Sequence, residues 1–311
     1  MKIFFDNVQW GSLTGPNTFA KRLADELLSR GHVLADRDDY DVALAFIEPR
    51  SLDLKKPWVQ HLDGIWFKPN EFYTKNVSIK AAYERADAVI FQSEFDRNMV
   101  EHWWNTRDHS HVILNGAQEN TLEVTSEALI SLRERFEKIF VCSANWHPQK
   151  RLNTNMDVFH HILHNISADS CIIVMGSNPD VIVKNPRVMY TNSVPYEIYM
   201  QVYKVADCMI HCAWLDHSPN TVVESLVSGC PVLCTSEGGT RELVGNFGTV
   251  LSDRETYSYS LVDYDQPPSV DVSQLKSLPN KMSLVRDVDV SIKRCADQYE
   301  SVLESLLERV K

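Results

Sequence analysis

The chain has 311 residues, 44% of them hydrophobic and 23% charged, a composition typical of a globular protein with enough apolar material for two domain cores. Its formal net charge of -11 argues against a general nucleic-acid binder and against a protein that binds anionic membranes. No apolar run reaches the length of a membrane span, so we expect no transmembrane segment. The opening MKIFF meets Asp6 at once and is predicted to be a strand, not a signal peptide.

The cysteines indicate a reducing compartment. All seven follow residue 140, and an odd number without a predicted signal peptide favours a cytoplasmic protein. Two C-x3-C pairs, Cys208 with Cys212 and Cys230 with Cys234, raise the question of a zinc site. Their spacing differs from that of structural zinc sites, and both pairs lie in strand-like runs where buried cysteines are common. We therefore expect core cysteines and no metal.

Short β-rich runs alternate with amphipathic helical runs along residues 1–118. Strands are predicted at KIFFD, HVLAD, DVALAFIE, PWVQHLD, AVIFQS and HVILNG. Helices are predicted at NTFAKRLADELLSRG, EFYTKNVSIKAAYERA and EFDRNMVEHWW. Such alternation predicts a parallel sheet covered by helices on both faces.

A second series follows a helical stretch at SEALISLRERFEK. Its predicted strands are IFVCSA, CIIVMG, VMYTNS, CMIHCA and PVLCTS, and its helices include NTNMDVFHHILHNI and YEIYMQVYKVA. Residues 254–289 contain several prolines and are predicted to be one long surface connection, after which DVSIKRCADQYESVLESLLERV returns to helical period. We predict an α/β protein with two Rossmann-like parallel-sheet domains, residues 1–118 and 119–289, facing each other across a cleft.

The segment DHSPNTVVESLVSGCPVLCTSEGGTRELVG, residues 216–245, carries a carboxylate inside an apolar helical run. Ser218 is a good helix N-cap, Pro219 suits the first helical position, and Gly229 is the usual residue past a helix end. The strand PVLCTS and the glycine turn GG then lead to a second helix start, an arrangement that presents backbone amides to an anion.

The helical period places Glu224 on the side of Asn220 and Thr221, opposite the valines. We therefore expect its side chain to face away from the core. A carboxylate there suits a vicinal diol such as a ribose, because it accepts two hydrogen bonds at once.

A glycine loop from Gly11 to Gly15 separates the first predicted strand from the first helix. It lacks the G-x-G-x-x-G fingerprint, so NAD is not favoured. The loop either lets a substrate approach the backbone closely or is a bare turn.

Two further polar groups follow predicted strands, where open α/β sheets bind ligands. His61 and Asp63 in VQHLDGIW are placed to position a hydroxyl or tune each other's charge, with a hydrogen-bonded structural histidine as the alternative. Lys150 and Arg151 in SANWHPQKRL suit phosphates, with a solvated surface pair as the alternative.

With these residues in view, the sequence resembles glycosyltransferase family 4, retaining enzymes of the GT-B fold. That family's donor-binding segment has a glutamate, seven intervening residues, a second glutamate, a G-x-P-V, and a Gly-Gly followed by glutamate. SPNTVVESLVSGCPVLCTSEGGTRELV is similar to it, and the glycine loop, VILNG, WHPQKRL and YKVADCMIHCAW extend the resemblance over most of the chain.

The resemblance implies an enzyme that moves a sugar from a nucleotide-sugar donor, linked to UDP, GDP or ADP, to a glycan or other hydroxyl acceptor. Retention of the anomeric configuration is implied, with no metal and no cofactor. It also implies that residues 1–118 form the acceptor domain, that residues 119–289 form the donor domain, and that helix 290–311 packs back on the acceptor domain.

The same resemblance assigns the site residues. Glu224 is expected to hold the ribose of the donor, and His61, Asp63 and Asp216 are expected to be catalytic residues at the transferred sugar. The other residues expected to bind the donor are Gly15, Lys150, Arg151, Val194, Ser218, Pro219, Asn220 and Thr221.

Two positions depart from the family pattern. Asp216 stands in place of the first glutamate and is one methylene shorter, and Asn145 stands in place of an arginine five residues before the lysine. Two alternatives therefore stay open. A GT-B nucleotide-sugar epimerase would change its donor without an acceptor, and a degenerate sugar-nucleotide-binding protein would bind without turnover.

Overall fold

The computed structural model describes residues 1–179, 181–279, 281 and 286–310, which divide into two compact units. The first unit contains Met1–Gln118, Ser258–Val262 and the described residues from Val290 on. The second contains Glu119–Tyr257 and the described part of Asp263–Asp289. The sequence pattern did not indicate the return of residues 258–262 to the first unit, because it predicts one connection across 254–289.

The first unit is built on a parallel sheet. Its described strands are β1 (Lys2–Asp6), β2 (Val33–Leu34), β3 (Val42–Phe46), β4 (Trp58–Leu62), β5 (Ala88–Phe91) and β6 (Ser110–Val112). Its connecting helices are α1 (Gly15–Ser29), α2 (Phe72–Lys75), α3 (Val77–Arg85) and α4 (Glu94–Trp103). The strand order is β2-β1-β3-β4-β5-β6. Both faces of β3 are buried, which explains its continuous apolar sequence, whereas the equally buried β4 also contains Gln60 and His61.

The second unit repeats the alternation. Its described strands are β7 (Lys138–Ser143), β8 (Ser170–Met175), β9 (Val188–Asn192), β10 (Cys208–His211), β11 (Val232–Thr235) and β12 (Gly248–Leu251). Its helices are α5 (Glu127–Arg135), α6 (Leu152–Asn165), α7 (Tyr196–Val205), α8 (Asn220–Val227) and α9 (Thr240–Val244). Strand β12 is absent from the sequence prediction, because its run has only four residues and opens with a glycine.

In the second sheet the parallel strands have the order β12-β11-β10-β7-β8-β9. Strands β8 and β9 therefore follow β7 on one side of it, whereas β10, β11 and β12 lie on its other side. Such a reversal is a topological switch point, and ligands of open α/β sheets bind beyond the carboxyl ends of the strands that flank it.

Helix α10 (Ile292–Val310) completes the core of the first unit by packing against α1. Its buried residues recur every three or four positions and so form one stripe. They are Ile292, Cys295, Ala296, Tyr299, Val302, Leu303 and Leu306. These side chains lie in one cluster with apolar residues of α1, β1, β3 and β4.

Candidate functional site

The loops after β7 and β10 meet at the switch point of the second sheet. Residues 144–151 follow β7, and residues 212–219 follow β10. The amide of Trp214 donates a hydrogen bond to the carbonyl of Gln149 at 2.8 Å, which fixes one loop against the other. The Asn155 side chain adds a second link, because it donates to the carbonyl of Arg151 at 2.7 Å and accepts from the amide of Cys212 at 3.2 Å.

Lys150 and Asp216 form an ion pair across these two loops. The lysine ends a short 3-10 turn, Pro148–Lys150, and both side chains keep some exposure, 21% for Lys150 and 13% for Asp216. His211 Nε2, at the end of β10, lies 3.5 Å from the same Oδ2 of Asp216. The structure thus brings two predicted site residues together at the switch point and adds a histidine beside them.

Burial and charge act in opposite directions on this group. Burial alone would raise the pKa of Asp216, but the Lys150 ammonium and the contact with His211 outweigh it and hold that pKa well below its ordinary value. Burial lowers the pKa of His211. The cluster therefore holds a carboxylate and an ammonium beside a neutral imidazole at neutral pH.

Arg151, the sequence neighbour of Lys150, points elsewhere. Its Nη1 lies 2.6 Å from Asp253 Oδ1, and the two side chains are only 2% and 0% exposed. Asp253 also accepts hydrogen bonds from Ser236 Oγ at 3.4 Å and from the amide of Glu237 at 3.1 Å. Arg151 is therefore neither part of an exposed surface pair nor an open ligand for phosphate. Its side chain is buried in an ion pair that joins three loops.

The glycine turn after β11 is in close backbone contact with the loop that contains Asp216. The amide of Gly239 donates to the carbonyl of Asp216 at 2.8 Å. Gly238 has φ +112°, and a Cβ there would lie 2.9 Å from the same carbonyl oxygen. Only glycine allows this conformation and this approach, so the turn braces Asp216 through the backbone.

Helix α8 begins later than predicted. Its first residue is Asn220, and Pro219, in extended conformation, precedes it with no side-chain cap. The prediction of Ser218 as N-cap is wrong, since its Oγ is buried and finds no hydrogen-bond partner among the described residues. The carbonyl of Pro219 accepts the amides of Val222 and Val223 at 3.0 and 3.3 Å, which starts the helix beside the Asp216 loop. Asn220 and Thr221, both half-buried, form its first turn.

Glu224, which we expected to face away from the core, is only 5% exposed. Helix α7 packs against α8, and burial first, then the charge of Glu224, raise the pKa of Tyr199 on α7 well above its ordinary value. Tyr199 also contacts Ser143 Oγ, at the end of β7, at 3.0 Å. The helical period identified the side of α8 correctly as different from that of the valines, but it could not tell that another helix covers it.

Two other positions lie in loops near the same edge of the sheet. Val194 is half-buried between β9 and α7. Asn145 Oδ1 accepts hydrogen bonds from Ser177 Oγ at 2.9 Å and from Asn178 Nδ2 at 3.1 Å, so it joins the loops after β7 and β8. The residue at the position of the family arginine is therefore part of the loop structure.

His61 of the first unit lies inside β4 and is fully buried. Its Nδ1 lies 2.6 Å from the Tyr299 hydroxyl and its Nε2 lies 3.2 Å from Gln92 Nε2. Phe19 stacks on the ring at 5.2 Å, and burial lowers the pKa of His61 to about 3. These contacts favour the structural histidine over the catalytic one.

The remaining predicted residues of the first unit are more accessible. Asp63 is half-buried just after β4, and its charge acts on the buried Tyr299 hydroxyl, whose pKa is raised first by burial. Gly15 is exposed and begins α1. The structure places His61, Asp63 and Gly15 in the first unit and the other predicted site residues in the second.

The seven cysteines are buried and unpaired, and burial raises the pKa of Cys208, Cys212, Cys230 and Cys234. Within residues 1–179, 181–279, 281 and 286–310, no group of three or more His, Cys, Asp or Glu side chains is arranged to hold a metal ion. No helix in that part of the chain is long and apolar enough to cross a membrane.

Sequence reasoning missed Tyr199, His211 and Asp253. Tyr199 and His211 lie in correctly predicted elements, but nothing in those runs marks them, because their partners are distant in sequence. Asp253 follows β12, and a prediction of that strand would have placed a carboxylate at the same sheet edge as Lys150.

Residues 137–262 match the family model described as Glycosyl transferases group 1. The matched range contains every loop of the second unit described above, from the end of β7 to Asp253. No curated protein matches the sequence.

Several solved structures are similar over nearly the whole chain. HepE from Anabaena in complex with UDP-glucose is 16% identical with a TM-score of 0.64, covering 100% of this chain and 99% of that one. Sucrose-phosphate synthase from Thermosynechococcus elongatus is 12% identical with a TM-score of 0.63, covering 100% and 97%. WaaG, a glycosyltransferase involved in lipopolysaccharide biosynthesis, is 12% identical with a TM-score of 0.60, covering 98% and 93%. The predicted fold, α/β with two Rossmann-like domains of the GT-B type, is confirmed.

Proposed function

We propose that this chain transfers a sugar from a nucleoside diphosphate sugar to an acceptor hydroxyl. One observation carries the proposal: Lys150 and Asp216 meet at the switch point of the second sheet, inside the segment that matches the group 1 glycosyl transferases. The similar HepE structure contains UDP-glucose, which supports a nucleotide sugar as the donor class.

In this proposal the second unit binds the donor and the first binds the acceptor. Lys150, with the first-turn amides of α8 at Asn220 and Thr221, takes the diphosphate. The lysine then exchanges its carboxylate partner, Asp216, for the phosphates. Its positive charge stabilises the leaving nucleoside diphosphate, where negative charge develops during transfer.

Asp216, released from Lys150, then faces the transferred sugar, and Glu224 accepts hydrogen bonds from the ribose diol. Asp63 and Gly15 are the residues of the first unit that we retain for the substrate, with Val194, Ser218 and Pro219 lining the donor loops. We assign His61 and Arg151 structural roles, because both side chains are buried with partners of their own. Retention and independence from metal remain part of the proposal and rest on the resemblance to glycosyltransferase family 4.

The test begins with thermal shift on the whole chain, using UDP-, GDP- and ADP-linked sugars, because a ligand that binds only the folded state raises its stability. One donor class should raise the midpoint. Lys150→Ala should abolish that shift, whereas Lys184→Ala, at an exposed lysine of the same unit, should keep it. Equal shifts in wild type and Lys150→Ala would remove the diphosphate role.

Turnover is then measured with the bound donor and a panel of hydroxyl acceptors, with and without a chelator. Transfer to an acceptor with the configuration retained, unaffected by the chelator, supports the full proposal. A donor that changes without acceptor would indicate an epimerase, and binding without any turnover would indicate a degenerate binding protein.

A further inference from the structure

His211 lies beside the ion pair of Lys150 and Asp216 without completing a hydrogen bond to it. The histidine is the last residue of β10 and is only 5% exposed. Its Nε2 is buried and has no hydrogen-bond partner among the described residues, although Asp216 Oδ2 lies 3.5 Å away. The same Oδ2 pairs with the Lys150 ammonium. One carboxylate oxygen therefore has a cation as its partner and an imidazole next to it.

The ammonium and the imidazole compete for this oxygen. A neutral imidazole carries one N–H, whereas an imidazolium donates from both ring nitrogens. Burial lowers the pKa of His211, the nearby Asp216 carboxylate acts against burial, and the charge of Lys150 lowers the pKa again. As long as Lys150 holds Asp216, the imidazole stays neutral.

Other titratable groups surround β10. Those of the elements and loops packed against it are Lys138 and Cys142 of β7, Cys234 of β11, Asp157, His160, His161 and His164 of α6, Glu224 of α8, and the buried pair Arg151 and Asp253. Burial keeps the two thiols protonated. Among the described residues, the charges that shift the pKa of His211 are those of Asp216 and Lys150.

We propose that His211 is a positioning residue that replaces Lys150 as the cationic partner of Asp216 when the donor binds, with uptake of one proton from the solvent. The inference rests on the proposed function, in which the diphosphate draws the ammonium away from Asp216. Removing one partner of a largely buried ion pair leaves an uncompensated charge, which is costly. The imidazole at 3.5 Å is placed to compensate it, and once protonated it donates from Nε2 to Oδ2 and holds the carboxylate in place for the transferred sugar.

This exchange couples donor binding to pH. In the complex the phosphates neutralise the ammonium, so the pKa of His211 is higher than in the free protein. Between the two pKa values the complex holds a proton that the free protein does not hold. Affinity for the donor therefore increases as the pH falls through this window and levels off below it. A rise of about one pH unit corresponds to about tenfold in affinity and to about half a proton taken up at the centre of the window.

Calorimetry on the whole chain tests the coupling with UDP-glucose, GDP-glucose and ADP-glucose. The diphosphate of such a donor has no group that titrates near neutral pH, so any proton taken up goes to the protein. Heats measured between pH 6 and 7.5 in PIPES and in imidazole, two buffers of different ionisation enthalpy, give the number of protons. Wild type should take up about half a proton or more within this range and bind the donor more tightly at the lower pH.

His211→Gln keeps a side chain that is able to donate to Asp216 but unable to take up a proton. Its proton uptake should vanish, and its affinity should no longer depend on pH. His147→Gln and His217→Gln are the matched controls, because they remove the other histidines of the two loops after β7 and β10. Each should keep the wild-type uptake.

Lys150→Met gives a second measurement that needs neither a donor nor a folded His211→Gln. It removes the ammonium and keeps an unbranched side chain, so Asp216 is left to His211 in the free protein. The pKa of His211, followed by NMR of the ring nitrogens, should rise by about one unit or more relative to wild type.

The outcomes separate the two ideas. Donor binding without proton uptake, or uptake that persists in His211→Gln, overturns the role of His211 and leaves the proposed function standing. An unchanged or lower pKa of His211 in Lys150→Met overturns that role as well. A wild type that binds none of the three donors overturns the proposed function, and with it the exchange on binding, even where the pKa in Lys150→Met shows that His211 and Lys150 compete for Asp216.

Discussion

The Lys150 ammonium is already paired, with Asp216, before any ligand arrives. In the proposed function, a diphosphate must therefore compete with a carboxylate for the same ammonium group. The same pairing lowers the pKa of Asp216 strongly, because the Lys150 ammonium stabilises the ionised carboxylate. In the proposed reaction, binding of the diphosphate to Lys150 therefore also releases Asp216 for the transferred sugar.

Asp216→Asn should release the lysine. We expect the affinity for free nucleoside diphosphate to stay equal to that of wild type or to rise by severalfold, because an amide competes with phosphate less strongly than a carboxylate. Transfer should fall by about tenfold or more, because the carboxylate facing the sugar is lost.

Calorimetry with the diphosphate and initial rates with the donor measure the two effects separately. Glu255→Gln, at an exposed carboxylate of the same unit, is the control and should change neither. Weaker diphosphate binding in Asp216→Asn would show that the carboxylate assists the phosphate instead of competing with it.

His61 makes the stability of the first unit depend on pH. Its pKa is lowered by burial from 6.5 to about 3. Between these values the unfolded chain binds a proton at His61 that the folded chain does not bind. The free energy of unfolding therefore falls as the pH falls through this window, by up to about 1.4 kcal/mol per pH unit from this group.

His61→Gln should be less stable than wild type at pH 7.5, because it breaks the buried contact with Tyr299. Between pH 6.5 and 5, however, its stability should fall less steeply with pH. Urea unfolding at several pH values checks both points, and His109→Gln, at an exposed histidine of the first unit, should follow the wild-type slope. Parallel curves for His61→Gln and wild type would contradict a neutral buried histidine.

The sequence predicted the positions of the candidate site residues in the fold better than it predicted their surroundings. Lys150 and Asp216 could be placed at strand ends because strand patterns and loops are local in sequence. Whether a side chain there is open, as Lys150 partly is, or buried in an ion pair, as Arg151 is, depends on Asp253, which is 102 residues away. Periodicity carries no information on such a partner.

At the scale of elements, local patterns predicted which runs form strands and helices but not how elements of the second unit pack. The alternation of apolar runs predicted parallel sheets, yet the order that places β7 beside β10 is set by crossover connections. Helix α8 shows the same limit. Its apolar positions were predicted correctly, but its first residue is Asn220 instead of the predicted Pro219, and its contact with α7 was not visible in the sequence.

The glycine turn after β11 supports a sharp prediction. Gly238→Ala puts a Cβ 2.9 Å from the Asp216 carbonyl oxygen at φ +112°, so it should cost about 2 kcal/mol or more and displace the Asp216 loop. Gly229→Ala is the matched control. Gly229 has φ +70° and open space around the added Cβ, so only the conformational cost, about 1 kcal/mol, applies.

Urea unfolding and nucleoside diphosphate binding measure the two consequences. Gly238→Ala should lose both stability and affinity, whereas Gly229→Ala should lose a smaller amount of stability and keep its affinity. Equal effects of the two substitutions on binding would show that the turn does not brace Asp216.

On the scale of the whole molecule, the chain consists of two units, each with its own sheet and its own buried cluster. The first cluster includes seven residues of α10, which is the last described element. Leu303→Ala removes a fully buried side chain of this cluster and should cost about 2–5 kcal/mol.

Hydrogen exchange locates that loss. Protection should fall in β1 and β3, whose apolar residues share the cluster with Leu303, and should persist in β7 and β8. Glu304→Ala, at the exposed neighbouring position, should leave both sheets protected. A uniform loss of protection in all four strands would indicate one cooperative unit instead of two.

The place of α10 in the first unit also has a consequence for synthesis on the ribosome. Domains generally fold in the order in which they are made, at about 5–20 residues per second. Here the first segment of the first unit ends at Gln118, but its core also needs α10, which begins at Ile292, 174 positions later. At that rate the wait is roughly 9–35 s, during which the second unit is completed. The half of the protein that is translated first is therefore the last to close its core, and until then the apolar residues of α1 and β1 that pack against α10 lack that cover.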